Sequence, residues 1–529
     1  MIFTAVQLIA VAIACTLAGL HATHVLQAQR YSTDALRRQL HRADELPLLH
    51  EVPVAVIAML LSWYLPVLLS MAVRKEETRA SLCGWVVLGL FCIAAAVVCL
   101  RKRSIPVQRP LRMTHRLLRL LCAVFLMNAA GIALLRLLGF PPYAMFAGSS
   151  YAALLAAMLL QPLEETLNLR RYAAARKKIA AHKNLICVGI TGSYGKTEVK
   201  QILKAILSEK FKVLATPPGF SGIMGIARVA NESLDKTHEI FIAEMGAQHR
   251  GEIRDMAKLM QPKYGVITCV EGEHLDSFGS MEAVAQAKSE LLEALPKDGA
   301  AFFGADGSYG DRLYALYTGE KARAGVGTAA DLWMRAEHIE TGTKGTRFEL
   351  VCRDGTHAWV QTQLLGSYAV RNIALCAAVA KKLGMRMEEI AKGAAKARPL
   401  KHHLQSIAGE VNVIDNSENT RPEAAVEALK VLADFPGRRI LVTGGFPHLD
   451  DRVEDRAYAF GLEIPDRADY VILIDPDETK PIMSALLSKR FPKSSVRMVN
   501  RLEDAAAFVH EIAGAGDTVL YEGVYPEDE

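Results

Sequence analysis

A glycine-rich stretch carries the residue types that bind a polyphosphate. Residues 189–197 read Gly-Ile-Thr-Gly-Ser-Tyr-Gly-Lys-Thr. Glycines let the backbone turn tightly so that several N–H groups point at one anion, a lysine ammonium reaches phosphate oxygens, and a threonine hydroxyl is a ligand for Mg²⁺. We therefore predict that a nucleotide polyphosphate is bound by Gly192, Ser193, Gly195, Lys196 and Thr197.

The segments on either side of this stretch support the prediction. An apolar run precedes it, as expected for a strand, and the residues after Thr197 are compatible with a helix whose N-terminus adds positive charge. A plain glycine turn with a solvated lysine is the alternative, and it would not need both neighbours. The position five residues before Gly195 is usually glycine in such loops and is Ile190 here, so the loop is a compact variant.

Strands and helices alternate around the loop. The pattern predicts strands at 185–190, 239–244 and 264–270 and helices at 198–209, 250–259 and 281–295. This is typical of a doubly wound parallel sheet, whose ligands collect at the carboxyl ends of the strands. Glu244 ends the second strand beside the loop, where it is placed to hold Mg²⁺ or, alternatively, to cap the next turn. His274 and Lys288 follow the third strand, and by residue type alone both are more often surface residues.

Longer motifs resemble the Mur ligases, the ATP-dependent amide-forming enzymes of cell-wall precursor synthesis. The loop itself, Phe241-Ile-Ala-Glu-Met-Gly-Ala-Gln-His249 and Glu273-His-Leu are similar to the branch that adds D-alanyl-D-alanine, and the likeness fades towards residue 450. The resemblance implies an ATP-binding central domain with two Mg²⁺ ions.

The resemblance also implies roles for single residues. Glu244 and His274 would join Thr197 in binding magnesium, and Lys288 would be carbamoylated by CO₂ to become an anionic ligand of the second ion. Asn372, which opens a helix after Gly366, would contact the adenine. The implied catalytic residues are Lys196, His274 and Lys288.

A second α/β unit follows Pro399, with a Rossmann-like alternation that resembles the family's C-terminal domain. Its strands are predicted near 411–415, 438–443, 469–474 and 518–521, and its helices near 422–433, 453–461, 479–488 and 502–512. Before it, residues 320–365 alternate apolar and polar types, which predicts an antiparallel patch.

The motif that opens this second unit departs from the family pattern. Asp-Asn-Ser-Glu-Asn-Thr-Arg-Pro over 415–422 resembles the family's Asp-Asp-Ser-Tyr-Asn-Ala-Asn-Pro, and the resemblance implies nucleotide contacts from Asp415, Asn416 and Asn419. Asn416, Glu418 and Arg421 replace the second Asp, the Tyr and the later Asn, His403 stands where an arginine is usual, and Glu522 stands where the family has a lysine. Loss of basic groups near a polyphosphate puts catalytic power or the identity of the second substrate in doubt.

The first third of the chain is apolar enough to cross a bilayer of ~30 Å several times. We predict five spans, at about 2–26, 52–73, 82–100, 117–138 and 141–163. A buried soluble helix is the alternative for the fourth, which carries Arg119 and Arg136 near its ends. Basic residues cluster after spans one, three and five: Arg30, Arg37, Arg38, Arg42, Arg101, Lys102, Arg103, Arg109, Arg112, Arg116, Arg170, Arg171, Arg176, Lys177 and Lys178.

The charge asymmetry predicts the topology, and the change in composition near residue 165 predicts where the membrane domain ends. By the positive-inside rule the N-terminus is outside and the chain after residue 165 is cytoplasmic. We predict an α-helical membrane domain at 1–165, a connecting helix at 166–183, a P-loop doubly wound central domain at 184–397 and a Rossmann-like C-terminal domain at 398–529. The protein would therefore be a multi-pass protein of the bacterial cytoplasmic membrane.

Composition excludes two other kinds of site. The net charge of +5 is more than accounted for by the loop arginines, which favours contact with anionic lipid over nucleic acid. The nine cysteines form no Cys-x-x-Cys pair, which argues against a zinc site or a disulfide framework.

The expected reaction joins a carboxylate to an amine through an acyl phosphate. The carboxylate acceptor would be a lipid-linked or nucleotide-linked cell-wall precursor, and the amine donor an amino acid or dipeptide. Two alternatives stay open: a ligase acting on a polyglutamate or teichoic-type polymer, and a catalytically weakened nucleotide-binding membrane scaffold.

Overall fold

The computed structural model describes residues 5–29, 31–33, 36–37, 47–68, 76–103, 111–272, 275–305, 308–329, 331–418, 421–446 and 453–524. The chain divides into two compact units, Met1–Leu169 and Arg170–Glu529.

The first unit is helical. Its described helices are α1 (Ala5–Ala18), α2 (Leu20–Ala28), α3 (Pro47–Leu68), α4 (Glu76–Arg103), α5 (His115–Leu137), a 3-10 turn (Pro142–Gly148) and α6 (Ser149–Ala180), which runs on into the second unit.

Four helical segments among the described residues are long and apolar enough to cross a membrane. They are Ala5–Ala28, Leu82–Arg101, His115–Leu137 and Pro142–Ala181. The predicted span at 52–73 falls on α3, whose apolar part, Glu51–Pro66, is shorter. These segments qualify by length and composition alone, so the number of spans and their orientation stay predictions.

The second unit begins with a nine-stranded sheet in the order β2-β3-β1-β4-β5-β6-β7-β8-β9. Its strands are β1 (Ile186–Thr191), β2 (Val213–Ala215), β3 (Ile240–Glu244), β4 (Tyr264–Ile267), β5 (Ala300–Gly304), β6 (Glu320–Val326), β7 (Met334–Gly342), β8 (Gly345–Cys352) and β9 (His357–Thr362).

The pairing confirms the parallel sheet and corrects one prediction. Strand β1 lies between β3 and β4 and is parallel to both. Strand β6 is parallel to β5 and to β7. The antiparallel part therefore begins at Met334, not at residue 320, because β6 alternates in sequence like an antiparallel strand yet pairs as one more parallel strand.

Helices cover both faces of this sheet. They are α7 (Lys196–Leu207), α8 (Ile223–Ser233), α9 (Glu252–Met260), α10 (Leu275–Phe278), α11 (Met281–Glu293), α12 (Ser308–Leu316), α13 (Gly366–Lys382) and α14 (Met387–Lys396). Successive residues of a strand point to opposite faces, so Val188 of β1 packs in one apolar core with α7 and α13, and Cys187 packs in the other. A sheet covered on both sides leaves its strand ends for ligands.

A six-stranded sheet follows, in the order β10-β11-β15-β12-β13-β14. Its strands are β10 (Gln405–Ile407), β11 (Asn412–Asn416), β12 (Arg439–Thr443), β13 (Tyr470–Ile474), β14 (Val496–Val499) and β15 (Thr518–Glu522), and its helices are α15 (Pro422–Ala433), α16 (Val453–Glu463), α17 (Lys480–Ser488) and α18 (Leu502–Ile512). The four predicted strands are present as β11, β12, β13 and β15. The edge strands β10 and β14 were not predicted.

Candidate nucleotide-binding site

The glycine-rich loop joins β1 to α7 and depends on two glycines. Gly192 and Gly195 have φ angles of 152° and 74°, which side chains rarely adopt. A Cβ at Gly192 would collide with the Thr268 hydroxyl, and one at Gly195 with the Tyr368 hydroxyl. Only glycine fits at either position, because the backbone passes close to its surroundings there.

Hydrogen bonds tie this loop to the segment that follows β4. The Ser193 N–H donates to the Cys269 carbonyl at 2.9 Å, and the Ser193 hydroxyl donates to the Glu271 carbonyl at 2.8 Å. The Tyr194 hydroxyl donates to the Gly272 carbonyl at 3.0 Å. The side chain of Ser193, predicted as a nucleotide contact, thus holds the shape of the loop in this structure.

Lys196 folds back over the loop. Its Nζ donates to the carbonyl oxygens of Gly192 at 2.8 Å and Ser193 at 2.6 Å. The ammonium is therefore already positioned inside the turn at the N-terminus of α7, where a phosphate would be attracted by both the charge and the free end of the helix.

Thr197 and Glu244 meet, as their positions in the sequence suggest. The Thr197 hydroxyl lies 3.0 Å from both carboxylate oxygens of Glu244. Parallel pairing explains the approach, because Glu244 is the register partner of Ile190 at the carboxyl edge of the sheet. A hydroxyl and a carboxylate are ligands that Mg²⁺ prefers, so these two residues fit a magnesium ion.

Lys200 also contacts Glu244, and the sequence reading missed it. Its Nζ lies 2.7 Å from Glu244 Oε2, and both side chains are almost fully buried. The available signal was a lysine between the apolar Val199 and Ile202 on the face of α7 that turns toward the sheet. In this structure the carboxylate is neutralised by a buried ammonium.

Glu198, at the start of α7, is a second residue that the sequence did not single out. Glu198 Oε2 accepts a hydrogen bond from the Asn372 amide at 3.0 Å. Burial raises the pKa of Glu198 to about 7, although the hydrogen bond from Asn372 opposes that shift. Asn372 is thus brought next to the loop, and its contact with adenine stays a prediction.

The structure says less about the other residues that the resemblance implies, Lys288, His274 and Asn419. Lys288 lies on α11 with 1% of its surface exposed. His274 and Asn419 lie outside the described residues. Within the described ranges no group of three or more His, Cys, Asp or Glu side chains could hold a metal ion, so the fit to Mg²⁺ rests on Thr197 and Glu244.

Two family models match this chain. The model of the Mur ligase middle domain covers residues 190–380, and that of the Mur ligase glutamate ligase domain covers residues 402–524. The matched segments together make up more than half of the chain. The chain belongs to the Mur ligase family.

Curated relatives with similar sequences carry one name, UDP-N-acetylmuramoyl-tripeptide–D-alanyl-D-alanine ligase. The Mycobacterium bovis protein is 31% identical over 47% of this chain and 49% of its own length. The Escherichia coli protein is 30% identical over 50% of this chain and 58% of its own length. The Bacillus subtilis protein is 28% identical over 63% of this chain and 72% of its own length. The chain spans about half the length of the first of these relatives.

Solved structures show the same fold. MurF from Acinetobacter baumannii has a TM-score of 0.59 at 23% identity, over 68% of this chain and 77% of that chain. MurF ligase from Thermotoga maritima in complex with ADP has a TM-score of 0.58 at 22% identity, over 68% of this chain and 80% of that chain.

The glutamate ligase domain presents its own polar residues at the carboxyl end of β11. Asp415 Oδ2 lies 2.7 Å from His402 Nδ1, and Asp415 Oδ1 accepts from the Ser417 hydroxyl at 2.6 Å. Burial alone would raise the pKa of Asp415, but the hydrogen bonds from Ser417 and His402 outweigh it and lower the pKa. Asp415 is therefore an anion held by its own domain.

Asn416 and Glu522, two of the departures from the Mur pattern, contact each other. They are register partners on the neighbouring strands β11 and β15, and the Asn416 amide donates to Glu522 Oε2 at 2.6 Å. The Asn416 oxygen accepts from the Leu404 N–H at 3.0 Å. Burial raises the pKa of Glu522 well above its ordinary value, and its Oε1 has no hydrogen-bond partner in the described part of the chain. The pair is therefore a buried carboxyl group, whose protonated form is favoured by burial, bonded to an amide.

Proposed function

We propose that this Mur ligase family member is an ATP-dependent amide ligase of peptidoglycan precursor synthesis. The observation that carries the proposal is the arrangement of Lys196, Thr197 and Glu244 around the loop at the carboxyl edge of the middle-domain sheet. The names of the curated relatives support it.

The reaction has two steps. A carboxylate oxygen of the acceptor attacks the γ-phosphorus of ATP, the bond to the β–γ bridging oxygen breaks, and an acyl phosphate and ADP form. An amine then attacks the acyl carbon, the bond to the phosphate oxygen breaks, and an amide, phosphate and a proton are released. Lys196 and the N-terminus of α7 stabilise negative charge on the transferring phosphoryl group. Thr197 and Glu244 would hold Mg²⁺, which supplies further positive charge there.

Lys288 is proposed to be carbamoylated, which would turn a buried cation into an oxygen ligand for a second Mg²⁺. Its near-complete burial supports a role beyond that of a surface lysine. Lys288→Ala should lower amide formation. Acetate should partly restore the Ala variant, whereas bicarbonate should help only the parent. Full activity of Lys288→Ala without additives would remove Lys288 from the site.

The substrates are proposed by class. The curated relatives are named for a UDP-linked muramoyl tripeptide and a dipeptide. For this chain we propose a cell-wall precursor carboxylate, lipid-linked or nucleotide-linked, as acceptor and an amino acid or dipeptide as amine donor. No nucleic acid is involved.

The helical unit is proposed to place the ligase at the inner face of the bacterial cytoplasmic membrane. Its long apolar segments support this, as do large apolar side chains that the unit leaves exposed, among them Ile93, Leu126, Leu137 and Leu159. A topology reporter fused after Lys178 should be active only in the cytoplasm. Activity only on the outer side would overturn the orientation and with it access to ATP.

One observation favours a second candidate, a nucleotide-binding membrane scaffold with weakened catalysis. The acid Glu522 stands where the family has a lysine, so the glutamate ligase domain offers less positive charge to a polyphosphate. A ligase for a polyglutamate or teichoic-type polymer would keep the ATP chemistry with a different acceptor.

Product analysis separates these candidates. Full-length protein would be given Mg²⁺-ATP, UDP-N-acetylmuramoyl-tripeptide or a bacterial lipid extract, and a mixture of amino acids and dipeptides, and the products would be identified by mass spectrometry. A ligase consumes ATP only when acceptor and amine are both present, and the product gains the mass of the amine less water. ATP binding without such consumption would support the scaffold.

A further inference from the structure

Arg421 is a departure from the Mur pattern that adds positive charge instead of removing it. It stands where the family motif has an asparagine, whereas His403 and Glu522 stand where basic residues are usual. Arg421 immediately precedes α15 and belongs to the glutamate ligase domain. The position of its guanidinium shows where that added charge acts.

The guanidinium reaches across to the nucleotide loop of the middle domain. Its central carbon lies 3.9 Å from the centre of the Tyr194 ring. Tyr194 is the residue between Ser193 and Gly195, so the guanidinium stands over the turn into which Lys196 also folds. Within the described residues, the contact recorded for Arg421 is therefore the face of an aromatic ring.

Tyr194 is a fixed platform. Its hydroxyl donates to the Gly272 carbonyl at 3.0 Å, its N–H donates to Cys269 Sγ at 3.3 Å, and its carbonyl accepts from the Thr268 hydroxyl. With both the ring and the backbone held, a guanidinium stacked on the ring is kept at a defined place beside the loop.

We propose that Arg421 binds the terminal phosphate of ATP, supplying from a new position the positive charge that the domain has lost elsewhere. This rests on the proposed function, because it requires a nucleoside triphosphate in the loop. Charge-assisted hydrogen bonds to phosphate are roughly twice as strong as neutral ones, whereas stacking of a cation on a partly exposed ring is a weak interaction, so phosphate outcompetes the ring. A planar fork of N–H donors also matches phosphate geometry.

Arg421 is assigned to the terminal phosphate because Lys196 and Arg421 belong to different domains. The two side chains can therefore contact one phosphate chain from two sides. Lys196 and the N-terminus of α7 approach a phosphate chain from the loop side, and Arg421 approaches it from the glutamate ligase domain. A ligand bound by both domains holds them together. Arg421 therefore distinguishes ATP from ADP, while Lys196 serves both.

The test is nucleotide affinity measured by titration calorimetry in the presence of Mg²⁺, with the full chain in detergent. Arg421→Gln and Arg421→Lys would be titrated with a non-hydrolysable ATP analogue and with ADP. The matched control is Arg497→Gln, since Arg497 lies on β14 of the same domain and its guanidinium is 5.1 Å from the Phe508 ring centre. Arg421→Asn restores the residue of the family motif.

We expect Arg421→Gln and Arg421→Asn to bind the ATP analogue about tenfold more weakly, which corresponds to ~1.4 kcal/mol, with ADP affected less than threefold. Arg421→Lys should recover part of the loss, and Arg497→Gln should match the parent. Equal losses for the analogue and ADP would overturn the assignment to the terminal phosphate. Unchanged affinity for both would make the stacked pair a contact between domains only.

The outcomes separate this inference from the proposed function. If the parent binds neither ATP analogue nor ADP, the proposed function fails. If the parent binds both and Arg421→Gln binds them equally well, only the role of Arg421 fails.

Discussion

Two sheet edges in the second unit carry opposite charge patterns. At the edge of the middle domain, the buried Lys200 ammonium and the Thr197 hydroxyl contact one acid, Glu244, and the Lys196 ammonium lies in the neighbouring loop. At the edge of the glutamate ligase domain, the acid Glu522 is buried against an amide, and burial raises its pKa. The first arrangement fits a polyphosphate and its metal, whereas the second buries a carboxyl group against an amide.

The two edges differ in how closely their residues follow the motif pattern of the Mur ligases. At the middle-domain edge the structure brings together Thr197 and Glu244, two of the residues for which the resemblance implies a role. At the other edge, Asn416 and Glu522 lie 106 residues apart in sequence and bond to each other, so the two departures are one change. In this chain the pair consists of an amide on β11 and a carboxyl group on β15.

The largest effect is expected at the middle-domain edge. Lys196→Ala should abolish measurable ATP turnover while leaving the fold intact, because its ammonium meets loop carbonyls and phosphate and not the apolar core. The measurement is phosphate release, with circular dichroism to check folding. Lys204→Ala, on the exposed side of the same helix, is the control. Turnover at the parent rate in Lys196→Ala would mean that the loop does not bind ATP.

The second prediction concerns the buried Lys200–Glu244 pair. Lys200→Met should lower the free energy of unfolding by about 3–5 kcal/mol, because it leaves a buried carboxylate without its ammonium. The measurement is urea denaturation followed by fluorescence. Added Mg²⁺ should recover more stability in this variant than in the parent, since the ion can take the place of the ammonium.

Lys258→Met is the control for this pair, because Lys258 and Asp255 form an exposed ion pair at 3.1 Å. Its removal should change stability by less than about 1 kcal/mol. A Lys200→Met protein that is as stable as the parent, or indifferent to Mg²⁺, would contradict the account of Glu244.

The third prediction exchanges the pair at the other edge. Glu522→Lys and Asn416→Asp should each destabilise the protein, the first by burying an ammonium beside an amide and the second by placing two acids together. The double variant should recover part of the loss, with a coupling energy of about 1–3 kcal/mol. Denaturation of all four proteins gives that energy, and additive losses would mean that the residues are independent.

The smallest effect is a pH dependence at Glu198. Because the pKa of Glu198 is raised from 4.5 to about 7 in the folded state, its contribution to stability is complete below pH 4.5 and is lost as the pH rises through about 7. Glu198→Gln should flatten the stability profile across this window. Denaturation midpoints from pH 5 to pH 8 would measure it, and identical profiles would place the titration on another group.

Elements that depend on local sequence were predictable. Apolar runs predicted the positions of β1, β3 and β12, because these strands are buried in the sheet. The spacing of Val199, Ile202 and Leu203 predicted α7, because one face of that helix is buried. The glycines of the loop were predictable for the same reason, since their backbone angles exclude other residues.

The pairings that depend on register were not predictable. Lys200 reaches Glu244 across 44 residues, and β6 pairs parallel although its alternation suggested otherwise. The short edge strands β10 and β14 were harder to predict because none of their residues is fully buried, so burial imposes no alternating pattern on them. The stacking of Arg421 on Tyr194 depends on how two domains meet, and no spacing in the sequence encodes that.

Positional isotope exchange tests the central claim most directly, because it detects reversible transfer of the γ-phosphoryl group to a carboxylate before any amine is added. ATP labelled with ¹⁸O in the β–γ bridge would be incubated with Mg²⁺, the full-length protein and UDP-N-acetylmuramoyl-tripeptide or bacterial lipid extract. The predicted result is movement of the label to non-bridging β-phosphate positions, dependent on the acceptor and absent in Lys196→Ala. An unmoved label, in a protein that binds ATP and is given either acceptor, would contradict the account.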